Sequence, residues 1–521
     1  MNAGGGSTVV SGRAGKVMEP LDLPGLPEGF EPTTAFDSVK ALNSRNQDLR
    51  DIPFSMGEVL ENMRAVRSLP RSYVAKMKKI RDDTAEYREK YILPNIEEIE
   101  KRVARDPDYF PYDVVREGTR YRFPTLIIPE GFGGPGYLCA HIAIMSEELA
   151  VGSGGFATTI AVNMAQLVTL FDPYLFAVYA RESLKAEKRG EVIVWSGGVT
   201  EPDAGTDRWD AEFQSCTRAG MVAEKVAGGY RLSGAKCFIS NGSVSRRAVV
   251  SAALDVNDYA GTGGLFIVKT DTPGFSIGRI ERKMGQKASQ TSEQICQDAF
   301  VPDSHRVGLF GITPRFTTLY LAASRGPVGA IGVGCGRRAL ESLVRWAAEN
   351  SDGRGRLIDR QALQIKIANM GRDLMAARAA YIQACVAFDA IACRVLSPWY
   401  TRLALRLTPM SLLTTETFRR MIQSERSRER INGFVERVFP DDMMMYMAGL
   451  AAHAKVLGSY TGRKIAGEVM EIMGPDAADP RWGVDRAYRD ARLTEIYEGT
   501  NQACAITAFK AMAGSFEETM K

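Results

Sequence analysis

The hydrophobic period of this chain changes twice, and that change constrains its fold more than any other feature. From about residue 72 to 186, apolar residues recur at helical spacing, as in HIAIMSEELA. Between 191 and 310 the segments are short, β-branched or aromatic, and separated by Gly turns, as in GYRLSGAKCFIS. From Phe316 the helical pattern returns. The sequence therefore predicts an α+β multidomain protein with an N-terminal extension at 1–74, a helical domain at 75–190, a central antiparallel β domain at 191–310 and a C-terminal helical domain at 311–521.

Composition excludes several classes of function. A net charge of +4 on 521 residues is too small a basic excess to indicate nucleic acid binding. No uninterrupted apolar run approaches 18 residues, which argues against a membrane span. The three histidines, His141, His305 and His453, are too far apart in sequence to indicate a multi-histidine metal site or a Ser-His-Asp triad. The eight cysteines contain no CxxC pair and are typical of reduced thiols, so we expect a cytoplasmic protein.

Two Gly-punctuated segments of the β region carry side chains suited to a flat ligand. In VTEPDAGTD (199–207), Thr200 and Thr206 offer hydroxyls beside backbone N–H groups that can hold an anion or a ring edge. In GAKCFISNG (234–242), period-2 alternation predicts that Phe238 and Ser240 share one face. An aromatic ring beside a hydroxyl can stack on a flat ring and donate to its edge. Taken alone, each segment is more typical of a plain turn.

The third segment supplies a carboxylate. EIYEGTNQ (495–502) places Glu498 before Gly499 in an otherwise helical and apolar region. A carboxyl group desolvated there has a raised pKa and can act as a general base near neutral pH. An EGT triplet alone is more typical of a solvated helix end. The three segments in this order and spacing favour a common site.

Together with KMGQKASQTSEQICQDAFVP (283–302) and SRGPVGAIGVG (324–334), these segments resemble the acyl-CoA dehydrogenase family, from about residue 75 to 521. The resemblance implies a C-terminal four-helix-bundle domain and a homo-oligomer, either a tetramer or a dimer. It also implies a bound FAD, α,β-desaturation of an acyl-CoA thioester, and electron transfer to an electron-transferring flavoprotein. No metal is implied.

The resemblance assigns roles by position. Glu498 matches the family's base, which removes the pro-R α-proton as a hydride leaves the β-carbon for flavin N5. Its backbone N–H and a flavin ribityl hydroxyl would polarise the thioester carbonyl. On the cofactor side the matching residues are Val199, Thr200, Thr206, Phe238, Ile239, Ser240, Arg354, Gln361, Gly474, Thr500 and Gln502. On the substrate side they are Thr206, Ser324, Arg325, Glu498 and Gly499.

The chain departs from the family pattern at its cofactor contacts. The family often has an Arg-Lys-Thr-Phe-Gly stretch that reaches a neighbouring subunit's FAD, and here ENSDGRGRLIDRQ (349–361) puts Asn350 in place of the arginine. Arg354 is the candidate substitute, and Gln361 is retained. The usual Gly-Gly is Gly474-Pro475, and Phe238 replaces the more common tryptophan.

Two further positions restrict the chemistry. Some family members carry their base on the first helix of the C-terminal domain, where this chain has Ser324, which cannot act as a base. Glu498 is therefore the better candidate. Glutaryl-type members hold a distal carboxylate with an arginine, where this chain has Ala157. A dicarboxylic acyl group held in that manner is therefore disfavoured.

An insertion at about 394–442 enlarges the C-terminal domain. Between Arg394 and Arg437 it holds nine arginines and four glutamates, a local charge of +5. One interpretation is a surface that meets an anion, such as CoA phosphates, a charged acyl chain, a partner or a lipid headgroup. The favoured interpretation is an amphipathic helical hairpin that enlarges the subunit contact.

The sequence leaves two alternatives to the dehydrogenase open. An oxidase of the same fold would pass electrons to oxygen and differ in access to the flavin. A scaffold or assembly protein would keep the fold without turnover, although Glu498, Thr200 and Ser240 are all intact. The sequence does not identify the acyl group.

Overall fold

The computed structural model describes residues 69–206, 218–396 and 398–513. The predicted extension at 1–74 lies outside the described residues except for 69–74, as do residues 514–521 of the predicted C-terminal domain. Within the described ranges, helices are followed by a β-sheet and then by helices again, in the order that the hydrophobic period predicts. The boundaries between the three predicted domains remain predictions.

The helices before the sheet share one apolar core with the C-terminal helices. Asp172 begins the last of them, where its Oδ1 accepts hydrogen bonds from the backbone N–H groups of Tyr174 and Leu175 at 3.1 and 3.0 Å. The α-helices are α1 (Tyr73–Tyr87), α2 (Ile96–Arg105), α3 (Tyr112–Glu117), α4 (Cys139–Gly152), α5 (Gly154–Val162) and α6 (Pro173–Lys188). A π-helical turn (Arg88–Ile92) and 3₁₀ turns (Gly118–Tyr121, Phe123–Thr125, Glu130–Phe132 and Asn163–Phe171) connect them.

The sheet has the spatial order β6-β7-β3-β2-β4-β5-β8, with β1 beside β4. Its strands are β1 (Trp195–Gly198), β2 (Val222–Val226), β3 (Gly229–Ser240), β4 (Arg247–Ala253), β5 (Gly263–Lys269), β6 (Phe275–Ile280), β7 (Thr291–Pro302) and β8 (Arg306–Val307). The short helix α7 (Tyr259–Thr262) and a 3₁₀ turn (Asp303–His305) lie between strands. The predicted sheet is largely antiparallel, but β4 pairs in parallel with both β1 and β2. The predicted antiparallel β domain is thus confirmed as a mainly antiparallel sheet, and its β1–β4 pair is parallel because these two strands are joined by a long crossover rather than by a hairpin.

The C-terminal helices pack around α8, which spans Thr313–Glu349. The others are α9 (Gln361–Leu396), α10 (Trp399–Leu407), α11 (Met410–Leu413), α12 (Glu416–Ile422), α13 (Glu425–Val438), α14 (Asp441–Met473), α15 (Val484–Thr494) and α16 (Asn501–Ala513), with 3₁₀ turns at Leu357–Asp359 and Gly474–Ala478. The long helices α8, α9 and α14, with α16, form the bundle that the resemblance implies.

Two local features of α8 position the helices around it. Pro327 lies inside the helix and cannot donate to the Ala323 carbonyl, which instead accepts from the Cys139 thiol at 2.9 Å. Glycines let α8 and α14 approach closely, since a Cβ on Gly458 would lie 2.3 Å from the Gly329 carbonyl oxygen. This contact brings the middle of α14 against the middle of α8.

One helix in the described residues, Gln361–Arg394, is long and apolar enough to cross a membrane by length and composition. Half of the helix's apolar window is buried inside the protein. Leu374, Ala377 and Tyr381 of this helix lie in the shared core. In this structure the helix is a core element of the bundle.

The insertion packs against its own chain as four short helices, α10 to α13, and not as the predicted hairpin. The Gln423 amide donates to Asp172 Oδ2 and to the Ser304 carbonyl, both at 2.9 Å. Arg306 of β8 pairs with Glu425 at 2.5 Å. The insertion thus joins the N-terminal helices, the sheet and the bundle within one chain.

Candidate active site

A cavity of about 330 Å³ lies where the sheet meets the helices on either side of it. One wall comes from β1, β3 and the loop after β1, a second from α5, and a third from α8 and the turn before α16. The lining is mainly apolar, with hydroxyls and one carboxyl among the polar groups. Its residues are Thr158, Ala161, Val162, Ala165, Gly197, Thr200, Gly205, Thr206, Phe238, Ile239, Ser240, Tyr320, Ser324, Pro327, Val328, Ile331, Ile496, Tyr497, Glu498, Gly499 and Thr500.

An irregularity in β3 shapes the sheet wall. The pairing of β3 with β7 shifts register between Lys236 and Ile239, and Phe238 within the shift has φ +57°. A positive φ in a bulky residue costs about 1–3 kcal/mol, so the surrounding structure must impose it. Phe238 is 59% exposed and lines the cavity. Phe238 and Ser240 both line the cavity, and Ile239 between them lines it too because of this bulge, which strict alternation would not allow.

A buried ion pair holds the loop after β1 against the sheet. Lys236 Nζ lies 2.7 Å from Glu201 Oε1 and donates to the Val199 carbonyl at 3.3 Å. Glu201 also accepts from the backbone N–H groups of Gly220 and Met221, at 2.7 and 3.1 Å. Both charges are therefore compensated, and the pair fixes the Val199–Thr200 backbone beside the cavity.

Glu498 lies in the turn between α15 and α16, with its carboxyl group in the cavity wall. Its φ is +55° and that of Gly499 is +82°, so the backbone is left-handed at two consecutive residues. Glu498 Oε2 is shielded from solvent and has no hydrogen-bond partner, and the same is true of Ser324 Oγ on α8. Two oxygens in the cavity wall are thus left to interact with a ligand.

Two buried cations fix this turn from behind. Arg325 Nε donates to the Glu498 carbonyl at 3.1 Å, and Lys455 Nζ donates to the Gly499 carbonyl at 2.8 Å. Lys455 also donates to Asn501 Oδ1 at 3.0 Å. The exposed fractions of Arg325 and Lys455 are 1% and 0%. Both side chains therefore donate their hydrogen bonds to acceptors inside the protein.

Burial and the neighbouring polar groups act in opposite directions on the pKa of Glu498. Burial raises the pKa of Glu498 above its ordinary value, while the Ser324 hydroxyl, Arg325 and Lys455 oppose the rise. Burial lowers the pKa of Lys455 to about 8. The pKa of Tyr320 is raised by burial and then by the nearby Glu498, so its phenol stays protonated.

A polar cluster forms another part of the cavity wall. Thr158 Oγ1 donates to Gln286 Oε1 at 2.8 Å, and Gln286 Nε2 lies 3.2 Å from the Tyr497 hydroxyl. Gln286 has φ +50° and donates its backbone N–H to Asp490. The cluster is internally hydrogen-bonded and fixes the Tyr497 ring beside Glu498.

The structure brings most of the predicted site residues together. Thr200, Thr206, Phe238, Ile239, Ser240, Ser324, Glu498, Gly499 and Thr500 line the one cavity. Val199 lines an adjoining cavity of about 40 Å³ that shares Gly197 and Tyr320 with it. Arg325 lies behind the Glu498 turn, bonded to its backbone, and does not line the cavity.

Four predicted cofactor residues lie outside the cavity. Arg354 is exposed in the loop before α9, Gln361 is exposed at the start of α9, and Gln502 is exposed on α16. Gly474 ends α14 with φ +57°. These four residues do not line the cavity, and their role toward a cofactor stays a prediction.

Sequence reasoning missed Lys455, Tyr320 and the Thr158–Gln286–Tyr497 cluster. Lys455 carried a usable signal, because it falls on the apolar stripe of α14 at helical spacing from Ala451, Ala452 and Ser459. A lysine on that stripe must be buried with a partner. The cluster gave no local signal, since its members come from three distant segments.

The residues present fit a flat, polar-edged cofactor. The sheet wall offers the exposed Phe238 face with the Thr200 and Ser240 hydroxyls, and the opposite wall offers the unpartnered oxygens of Ser324 and Glu498. Solved structures of this fold include complexes with FAD and with its reduced form FADH2, in agreement with the predicted FAD.

The fold and the site define a flavin-dependent dehydrogenase class, and family comparisons give the same result. The N-terminal domain model of acyl-CoA dehydrogenases matches residues 75–174, the middle domain model 196–299, and the C-terminal domain model 315–395 and 425–512. The chain therefore belongs to the acyl-CoA dehydrogenase family and is an oxidoreductase. Residues 396–424, inside the predicted insertion, are unmatched by the C-terminal model.

Comparison with individual relatives gives the same family. Benzylmalonyl-CoA dehydrogenase of Aromatoleum aromaticum is 31% identical over 57% of this chain and 75% of that protein. A probable acyl-CoA dehydrogenase of Mycobacterium tuberculosis is 25% identical over 81% of this chain and 92% of that protein. The structure of butyryl-CoA dehydrogenase from Megasphaera elsdenii superposes with a TM-score of 0.65 at 22% identity, covering 85% of this chain and 98% of that one, which shows the shared fold.

Proposed function

We propose that this protein is an FAD-dependent dehydrogenase that desaturates an acyl-CoA thioester between its α and β carbons, with Glu498 as the base. The observation that carries the proposal is the Glu498 carboxyl group, whose Oε2 is buried without a hydrogen-bond partner in the wall of an apolar cavity. A carboxylate placed in this way is suited to accepting a proton from carbon, because it is desolvated and its Oε2 atom is not already hydrogen-bonded.

The chain's own residues bind the thioester, take the α-proton and keep water out. Glu498 accepts the α-proton, and the electron pair released from that C–H bond forms the new double bond as the β-hydride departs. Val162, Val328 and Ile331 give the cavity an apolar wall that excludes water. Arg325 and Lys455 hold the Glu498 turn, so the carboxyl group is pre-positioned.

FAD, when bound, supplies the acceptor for the hydride. Thr200, Phe238, Ile239 and Ser240 would hold its ring system, with Val199 behind them. Arg354, Gln361, Gly474, Thr500 and Gln502 are proposed to contact the rest of the dinucleotide, in part from a neighbouring subunit. A homo-oligomer is therefore part of this proposal.

The experiment that tests the proposal is anaerobic titration of the purified flavoprotein with straight-chain, alicyclic and aromatic-substituted acyl-CoA thioesters. Bleaching of the flavin absorbance by one class would support the dehydrogenase and identify its substrate class. A protein that takes up no FAD would contradict it and favour the scaffold alternative. Rapid reoxidation of the reduced protein by oxygen, without an electron-transferring flavoprotein, would favour the oxidase.

We also propose that the protein works in the cytoplasm and passes its electrons to an electron-transferring flavoprotein. None of the seven described cysteines forms a disulfide, which supports a reducing compartment. Cell fractionation tests the location, and reoxidation of the reduced protein by an added electron-transferring flavoprotein tests the partner.

A further inference from the structure

We propose that Lys455 is a positioning residue for the Glu498 base, acting through the backbone of the Glu498 turn and through its charge. The inference rests on the proposed function, because it assigns Lys455 a role toward the proposed base. Lys455 itself does not line the cavity, so we expect its effect on the reaction to pass through the Glu498 turn that it contacts.

The first line of evidence is the hydrogen-bond geometry of the ammonium group. Lys455 Nζ donates to the Gly499 carbonyl at 2.8 Å and to Asn501 Oδ1 at 3.0 Å. These acceptors lie one and three residues after Glu498 in the same turn. The backbone there is left-handed at Glu498 and Gly499, a conformation that Glu adopts at a cost and that tertiary contacts must maintain. Lys455 supplies two of those contacts.

The second line of evidence is complete burial. Lys455 is 0% exposed, held there by the close approach of α14 to α8, where a Cβ on Gly329 would lie 2.5 Å from the Ala454 carbonyl oxygen. Burying an ammonium group is costly, and a lysine with a merely apolar packing role would be replaced by leucine or methionine without loss. The burial therefore indicates a role that needs the charge or its hydrogen bonds.

The third line of evidence is the set of charges around Lys455 and Glu498. Arg325 from α8 and Glu495 from the end of α15 face Lys455 together with Glu498, and the Cys504 thiol of α16 also lies near it. Ser324, Arg325, Lys455 and Tyr320 all act to lower the pKa of Glu498 against the effect of burial. Removing a positive charge from this set must raise the pKa of Glu498, because the ionised carboxylate loses a stabilising neighbour.

The test compares three variants. Lys455→Met removes the charge and both hydrogen bonds, whereas Lys455→Gln removes the charge but keeps an amide donor. Ser459→Ala is the matched control, since the Ser459 hydroxyl donates to the same Asn501 Oδ1 at 3.1 Å and carries no charge. Near-ultraviolet circular dichroism establishes that each variant folds.

The primary readout needs no turnover. The infrared carbonyl band of the protonated Glu498, identified by its loss in Glu498→Gln, is followed against pH on the holoprotein without thioester. We expect its midpoint to rise by about one pH unit in both Lys455 variants and to stay unchanged in Ser459→Ala. An unchanged midpoint in a folded Lys455→Met or Lys455→Gln overturns the proposal.

Kinetics provide the second readout. We expect the acid limb of the kcat/KM profile to move with the infrared midpoint. We also expect kcat to fall by about 10- to 100-fold in Lys455→Met and less in Lys455→Gln, with KM for the thioester within about twofold. If both Lys455 variants fail to fold while Ser459→Ala folds, Lys455 is a core residue and the proposal is wrong. A wild-type protein that no thioester bleaches would instead contradict the proposed function, while the infrared midpoints would still measure the coupling.

Discussion

The Glu498 turn (495–501) and the Arg354 loop (350–361) are both predicted parts of the site, and they are held in opposite ways. Distant side chains fix the turn: Arg325 and Lys455 donate to its carbonyls from 173 and 44 residues earlier in the chain. The Arg354 loop is fixed by its neighbours, with Asp352 accepting from the Arg354 N–H at 3.0 Å and pairing with Arg360 at 2.5 Å.

The difference shows which part of the site a single chain holds in place by its own contacts and which part it does not. The backbone of the turn is determined by buried tertiary contacts, so the geometry of the base exists before any ligand or second copy binds. The loop has exposed charges and two glycines with positive φ, Gly353 and Gly355. Segments with few buried contacts adjust at low cost. We therefore expect substitutions in the turn to act on the chemistry and substitutions in the loop to act on assembly and cofactor retention.

The largest effect is expected from Glu498→Gln. The amide keeps the shape of the side chain and leaves the carbonyl contacts of Arg325 and Lys455 in place, but it cannot accept a proton from carbon. We expect turnover to fall by about 10²- to 10⁴-fold with the flavin spectrum retained, measured by steady-state and anaerobic single-turnover assays.

The matched control is Glu495→Gln in the same turn. Glu495 pairs with Arg463 and Arg492 at 2.7 and 2.6 Å and does not line the cavity. Its loss should change turnover by no more than a fewfold. Similar losses in both variants would mean that the turn needs its carboxylates for structure, and that the base lies elsewhere.

A smaller effect is expected on the pH dependence of the reaction, which also depends on the Glu498 turn. Because burial raises the pKa of Glu498 and the base must be ionised, we expect the rate to rise with pH through a midpoint above the ordinary glutamate value. Ser324→Ala removes a hydroxyl that favours the ionised form. The acid limb of kcat/KM should therefore move to higher pH by up to about one unit. A shift to lower pH would show that Ser324 stabilises the protonated carboxyl instead.

The order of elements and nine of the 21 residues that line the cavity could be predicted from the sequence, because both depend on local signals. Hydrophobic period distinguishes strands from helices, and glycine-marked motifs stay recognisable when read alone. The bulge at Phe238, the parallel pairing of β1 with β4 and the role of Lys455 depend on partners distant in sequence. Short-range patterns cannot report such partners. The docking of the insertion on Asp172 and Arg306 was missed for the same reason.

Phe238 is intermediate between the Glu498 turn and the Arg354 loop, because its backbone is constrained but its side chain is exposed. Phe238→Leu removes an aromatic face worth about 0.5–1.5 kcal/mol, so we expect FAD affinity to fall by about 2- to 10-fold with little change in stability. Phe300→Leu on β7 is the control, because Phe300 is also exposed and lies outside the cavity. Equal affinities for the two variants would show that the ring of Phe238 does not contact the cofactor.

The smallest effect is expected at Arg354, and it decides whether the loop belongs to the site at all. An exposed charge–charge contact contributes about 0.2–1 kcal/mol, so Arg354→Ala should raise the dissociation constant for FAD by about two- to fivefold without lowering the thermal stability of the apoprotein. Arg356→Ala is the control, since Arg356 pairs with Asp359 inside the loop at 3.0 Å. If Arg354 reaches the cofactor of a neighbouring subunit, the loss in affinity should disappear at dilutions where the oligomer dissociates, because both proteins then lack the contact. A loss that persists in the monomer would place Arg354 on its own chain's cofactor and would remove the proposed difference between the loop and the turn.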